Sequence, residues 1–256
     1  MRFIGLDLAW SRRNRTGAVA LEEDGTALPQ ACREDLREDA QIVQFVRTWA
    51  GDGPALVAID APLIVPNAEG SRPVDREITR RFGRYCAGCY PAYRNRPGGC
   101  VRGEEIVAAL AREGFVQEPM VQRHATARAV FEVYPHPATV SLFRLSRTIQ
   151  YKPRSNRSLD FRRGQLKRLR HHLVSLEHSE PAMTMPPLVK SKRLGKLAAA
   201  DLKRYEDLLD AAICAYIAYY AWYWGPPGYR VYGDLAQGYI LVPMTAWMLT
   251  RLQAEA

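Results

Sequence analysis

Four acidic residues, Asp7, Asp60, Glu132 and Asp210, stand where apolar segments end or turn inward. Asp7 falls at the end of RFIGLDLA (2–9), Asp60 closes PALVAID (54–60), and Glu132 sits inside AVFEVY (129–134). Asp210 precedes the apolar run Ala211-Ala212-Ile213-Cys214-Ala215. A carboxylate at the end of a buried strand is costly unless it is paired, caps a turn or holds a cation. For any one of these acids a cap or turn role is the commoner explanation, but helix capping does not account for carboxylates at strand ends. Two neighbouring carboxylates raise each other's pKa, whereas Mg²⁺ or Mn²⁺ between them makes them ligands. Oxygen-rich sites of this kind suit phosphoryl transfer, in which two divalent ions about 3.5–4 Å apart activate a water and stabilise the leaving oxygen. Asp207, three residues before Asp210, shares its helix face and completes the candidate metal set Asp7, Asp60, Asp210 and Asp207, with Glu132 as a further ligand or water-orienting base.

The positive charge points to the same chemistry. The chain has 256 residues, with 36 Lys+Arg against 27 Asp+Glu and a net charge of +9. Between Arg144 and His172 ten basic residues face one acid, Asp160, so this stretch alone accounts for the excess. Such a block is the footprint of a polyanion binder, with DNA and RNA not distinguished; the plainer alternative is a solvated helix face. Arg72, Lys152, Arg162 and Arg163 are the candidate phosphate contacts, although Arg72 and Asp75 could equally pair with each other.

Other chemistries have weaker support. Cys86, Cys89 and Cys100 give a C-x2-C-x10-C pattern one ligand short of a tetrahedral zinc site, with His124 as the distant candidate, and ordinary cysteines are the preferred reading. Cys32 and Cys214 are expected in the core, and His136, between Pro135 and Pro137, is expected to be structural. There is no phosphate-binding G-x-x-x-x-G-K-[ST] loop and no dinucleotide fingerprint. The 14-residue run Ala211–Trp224 is too short to span a bilayer. Asp7 interrupts any signal-peptide core, and five cysteines do not form a secreted disulfide framework. The expectation is a cytoplasmic protein without membrane contact; its oligomeric state is left open.

The elements that must position these residues follow from the pattern. Strands are expected at 2–9, 16–21, 26–32, 54–60 and 129–134, and an amphipathic helix at 39–49 with Asp39 as its N-cap. Strands interleaved with a helix argue for a mixed α/β sheet. Residues 62–127, rich in Pro and Gly with helical stretches near 75–84 and 104–113, are expected as an insertion over one end of it. A basic helix at 159–176, a long helix at 198–224 whose terminal Tyr and Trp residues are mostly core, a strand pair at 229–232 and 239–242 and a short last helix complete the chain.

The blocks FIGLDLAW (3–10), VAIDAPLIVPN (57–67), RPVD (72–75), FEVYPHPA (131–138), EDLLDAAICA (206–215) and GDLAQGYILVP (233–243) resemble those of the domain of unknown function 429 family, in order and over nearly the whole chain. Many of its members carry Asp-Gly-Cys where this chain has Asp7-Leu8-Ala9. The resemblance implies a predicted nuclease on a ribonuclease H-like fold: one domain (1–256) with a mixed five-stranded sheet flanked by helices and a helical and loop insertion. It puts Asp7 at the first-strand acid, Asp60 at the fourth-strand acid and Asp210, with Asp207 nearby, at the final-helix acid. The expected activity is Mg²⁺- or Mn²⁺-dependent hydrolysis of nucleic acid. The alternative is a catalytically inactive nucleic-acid-binding or scaffold protein of the same fold.

Overall fold

A computed structural model describes residues 1–97, 99 and 101–254. The order of elements is β1 (Arg2–Asp7), β2 (Thr16–Leu21), β3 (Ala27–Leu36), α1 (Asp39–Ala50), β4 (Ala55–Ile59), α2 (Pro73–Phe82), α3 (Arg102–Arg112), β5 (Val116–Gln117), β6 (Arg128–Glu132), α4 (Pro135–Leu142), α5 (Leu159–Ser175), α6 (Pro187–Lys190), α7 (Ala199–Trp224), β7 (Tyr229–Asp234), β8 (Gly238–Pro243) and α8 (Ala246–Gln253). The first six strands form one sheet in the order β3-β2-β1-β4-β6-β5, and β7–β8 form a separate hairpin. β1, β2 and β3 pair antiparallel; β4, β6 and β5 continue from β1 in parallel.

The strand pattern sets two layers. Successive side chains leave a strand on opposite faces. Phe3, Val19, Leu56 and Phe131 therefore pack with α7 and α5 on one face, while Ile4, Leu6, Ala18, Val57, Ile59 and Val130 pack with α1 and α3 on the other. A third apolar cluster joins α2 and α8 to the β7–β8 hairpin. The aromatic end of α7 is core, with Tyr216, Tyr219, Tyr220 and Trp222 all buried.

Gly5 and Gly17 let α7 lie directly on the sheet. A Cβ at Gly5 would stand 2.1 Å from the carbonyl oxygen of Ala211 and from the amide nitrogen of Ala215, and one at Gly17 2.2 Å from the carbonyl oxygen of Asp207. Ala211 and Ala215, one helical turn apart, and the backbone of Asp207 thus meet strand positions that have no side chain.

Three sequence expectations are corrected. The main sheet has six strands rather than five, because the two-residue β5 pairs with β6 at the edge. The end of segment 62–127 belongs to the central layers, since α3 packs beside α1 and β5 extends the sheet. Asp39 is not the cap of α1: Glu38 is, in a reciprocal arrangement with Gln41, and Asp39 pairs with Arg12 and Arg102. Pro135-His136-Pro137 opens α4, where a proline in the first turn loses no hydrogen bond.

Candidate functional site

Leu6 pairs with Ile59 across the parallel β1–β4 ladder, and the Asp60 amide donates to the Leu6 carbonyl at 2.8 Å. The next residue on each strand is an aspartate, so Asp7 and Asp60 leave the same edge side by side. Gly5 faces α7, so Asp7, two residues on, faces it too, and Asp60 follows Asp7 in register. Neither carboxylate takes a hydrogen bond or an ion pair from any described residue. Burial, and then the charge of Asp7, hold the Asp60 carboxyl well above the usual range.

The acids of α7 arrive through the glycine contact. Gly17 is the β2 partner of Asp7, and the Asp207 backbone rests on it. Asp207 and Asp210 are buried, and so is Glu206, which sequence spacing alone does not assign to the site. Three cations answer them. Lys152 Nζ lies 2.5 Å from Asp210 Oδ2 and 3.4 Å from Glu206 Oε1. Lys203 pairs with Asp207 and Glu206, and Arg162 reaches Glu206 Oε2 at 3.2 Å. The hydroxyl of Tyr151, also unassigned from sequence, donates to Asp210 Oδ1 at 2.6 Å.

The resulting field is negative. Burial first, with Asp7 adding to it, pushes Asp207 up to about 8. Burial raises Asp210 to about 6, with the Lys152 ammonium opposing that rise. Burial alone would depress Lys152, but Asp210 and Asp7 outweigh it and hold the ammonium well above its ordinary value.

Glu132 is oriented differently. It pairs in register with Ile59, whose side chain lies on the α1–α3 face, so alternation turns Glu132 away from the Asp7–Asp60 face. There it accepts two hydrogen bonds from Arg72, at 2.6 and 2.9 Å, and one from the Leu63 amide at 2.8 Å. Arg72 also pairs with Asp75 at 2.8 Å and is 2% exposed. All three members of this triad are buried. Asp60 borders a cavity of about 60 Å³ shared with Arg72, Asp75 and Glu132, so the two acidic groups approach at the sheet edge without merging.

The basic block does not form one surface. Lys152 and Arg162 point into the acidic cluster. Arg163 pairs with Asp160 and donates to the Leu197 carbonyl, and Arg170 donates to the Lys192 carbonyl. Lys167 and Arg168 remain exposed. The open cleft beside the acids, about 410 Å³, is lined by Asp7 and Asp207 together with Arg13, Arg15, Arg37, Lys203 and Arg204. The signal for Arg13 and Arg15 is the S-R-R-N-R loop (11–15) that follows the first strand, less dense in charge than the block downstream.

Among the described residues no three His, Cys, Asp or Glu side chains converge as a ready metal cage. The donor chemistry nevertheless fits a hard divalent cation at Asp7 and Asp60. Mg²⁺ keeps most of its waters and is commonly held by one or two carboxylates plus substrate phosphate. Both aspartates are unpaired oxygen donors, and five carboxylates here face only three cationic side chains. The C-x2-C-x10-C pattern includes Cys100, which lies outside the described residues. Cys86 and Cys89 are free thiols, Cys86 Sγ accepts from Arg147 Nε at 3.2 Å, and His124 packs on Trp222 instead. Burial drives His136 down to about 3, and it bonds to Thr148.

Fold and site together define a mixed α/β protein with a buried carboxylate cluster where its last long helix crosses the first strands. The profile of the family described as "Protein of unknown function (DUF429)" matches residues 5–227, and the chain belongs to that family. No curated protein and no solved structure matches the chain. Among the described residues, no helix is long and apolar enough to cross a membrane.

Proposed function

We propose that the protein is a divalent-metal-dependent phosphodiesterase acting on nucleic acid, built on a ribonuclease H-like fold and using Mg²⁺ or Mn²⁺. The fold reading is supported by an antiparallel three-stranded meander continued by parallel strands, with acids at the ends of β1 and β4 beneath a helix. One observation carries the functional reading: Asp7 and Asp60 stand side by side without protein partners, and Asp7 opens into an arginine-lined cleft.

Asp7 and Asp60 would hold the ion, which supplies Lewis acidity toward a phosphoryl oxygen and lowers the pKa of water. Arg13 and Arg37, exposed and without acidic partners among the described residues, would fix substrate phosphates. Asp207, with its raised pKa, is placed to accept or return a proton at the cleft wall. Asp210 and Glu206 hold Lys152 in place. Asp7→Asn is expected to lower phosphodiester hydrolysis by about 10²–10³-fold or more, the usual cost of losing one electrostatic contact to the transition state, with the fold retained. Unchanged turnover in that variant refutes the reading.

A second reading, a nucleic-acid-binding protein without turnover, is favoured by the pairing of Asp207 and Asp210 with Lys203 and Lys152. It predicts salt-dependent binding and no product with any metal.

A further inference from the structure

We infer that the Lys152 ammonium occupies the place of a second cation, so that the site takes one divalent ion, at Asp7 and Asp60, rather than a pair. The inference rests on the metal-dependent reading above and adds its stoichiometry.

Two-metal phosphodiesterases hold their ions about 3.5–4 Å apart, with carboxylates shared around both. The acids available for a second ion here are Asp207, Asp210 and Glu206, and each already stands in an ion pair. Asp210 takes the Tyr151 hydroxyl on one oxygen and faces Lys152 with the other. Glu206 takes Arg162 on Oε2 and stands 3.4 and 3.3 Å from Lys152 and Lys203 on Oε1.

Lys152 is also held in position. Its preceding residue, Tyr151, is buried, and the Tyr151 carbonyl accepts from Arg162 Nε at 3.0 Å. Its own carbonyl accepts from Arg157 at 3.0 Å, and its Nζ lies 5.5 Å from the centre of the Tyr151 ring. The ammonium is therefore built into the wall, at the end of a short anchored segment.

The count of groups points the same way. The cluster's five carboxylates outnumber its three cationic side chains by two, a formal excess that one divalent ion offsets.

The test is Mn²⁺ titration by calorimetry, with electron paramagnetic resonance of the bound ions, on the parent chain, Lys152→Met and Lys152→Arg. The expected result is one Mn²⁺ per chain in the parent and in Lys152→Arg, with an uncoupled spectrum. Lys152→Met is expected to take two, with the broadened spectrum of a coupled pair. Two ions in the parent, or one in a folded Lys152→Met, overturns the inference while leaving the metal-dependent reading intact. No ion in the parent removes that reading, and this inference with it. Should Lys152→Met fail to fold, the parent and Lys152→Arg still decide: one ion in each supports the assignment and two overturn it.

Discussion

Gly17 and Asp207 are in backbone contact: a Cβ on Gly17 would lie 2.2 Å from the Asp207 carbonyl oxygen. Gly17 is also the antiparallel partner of Asp7. One missing side chain therefore sets the distance between a strand-end acid and the acids of α7, and Gly5, under Ala211 and Ala215, fixes the same helix one turn further on.

Filling either gap should move the helix. Because the atoms met are backbone, Gly5→Ala and Gly17→Ala are each expected to cost about 1–3 kcal/mol or more, the usual penalty of overpacking. Gly164→Ala, in α5 with open space around it, should instead stabilise by about 0.5–1 kcal/mol. Urea unfolding of the three variants checks this; equal stabilities for Gly17→Ala and the parent contradict the close contact.

The Arg72–Asp75–Glu132 triad should behave as structure. Arg72→Met leaves two buried carboxylates without their cation and is expected to cost about 3–5 kcal/mol. Glu132→Gln, which leaves Arg72 its Asp75 partner, should cost less and retain the Mn²⁺ affinity of the parent. A Glu132→Gln protein that folds but no longer binds Mn²⁺ would return Glu132 to the metal site.

Stability without metal should fall as pH rises through neutral toward 8. Asp207 is held up to about 8 in the folded chain against an ordinary 3.8, so between these values the folded state binds the extra proton. That stability is complete below pH 3.8 and is lost as pH climbs through 8. The buried His136, depressed to about 3 from 6.5, acts in the opposite sense only below about pH 6.5. The clean window is therefore pH 6.5 to 7.5, where the slope should approach about −1.4 kcal/mol per pH unit for each proton involved. Asp207→Asn should flatten it. Stability in EDTA that rises across this window contradicts the assignment.

The cleft, rather than the basic helix, should carry the electrostatics of nucleic-acid binding. Arg13→Ala and Arg37→Ala are each expected to reduce the slope of log affinity against log salt by about 1, while Lys167→Ala and Arg168→Ala leave it unchanged. Fluorescence anisotropy with a labelled single strand at several salt concentrations measures both pairs, and the reverse pattern would move the binding surface to α5.

Much of this site was visible in the chain before folding. Asp7 and Asp60 stand out because continuous apolar runs end on them, and the spacing of Asp207 and Asp210 puts them on one helical face. What was hidden depends on register and contact. Glu132 ends a strand just as Asp60 does, but the one-residue offset of its pairing with Ile59 turns it to the other face. Gly5 and Gly17 are unremarkable in sequence, and their importance appears only with α7 above them. The run from Arg144 to Arg170 resembled one basic surface, yet Lys152 and Arg162 fold inward because buried acids on α7 require counter-charges. Two residues of β5 are too few to leave a periodic signal.

The central claim is that Asp7 and Asp60 together hold a divalent ion, and calorimetric Mn²⁺ titration of the parent chain, Asp7→Asn and Asp60→Asn at moderate salt tests it most directly. The account predicts saturable binding in the parent that disappears in both variants while their circular dichroism stays that of the parent. Binding of equal strength in a folded Asp7→Asn protein, or none in the parent, contradicts it.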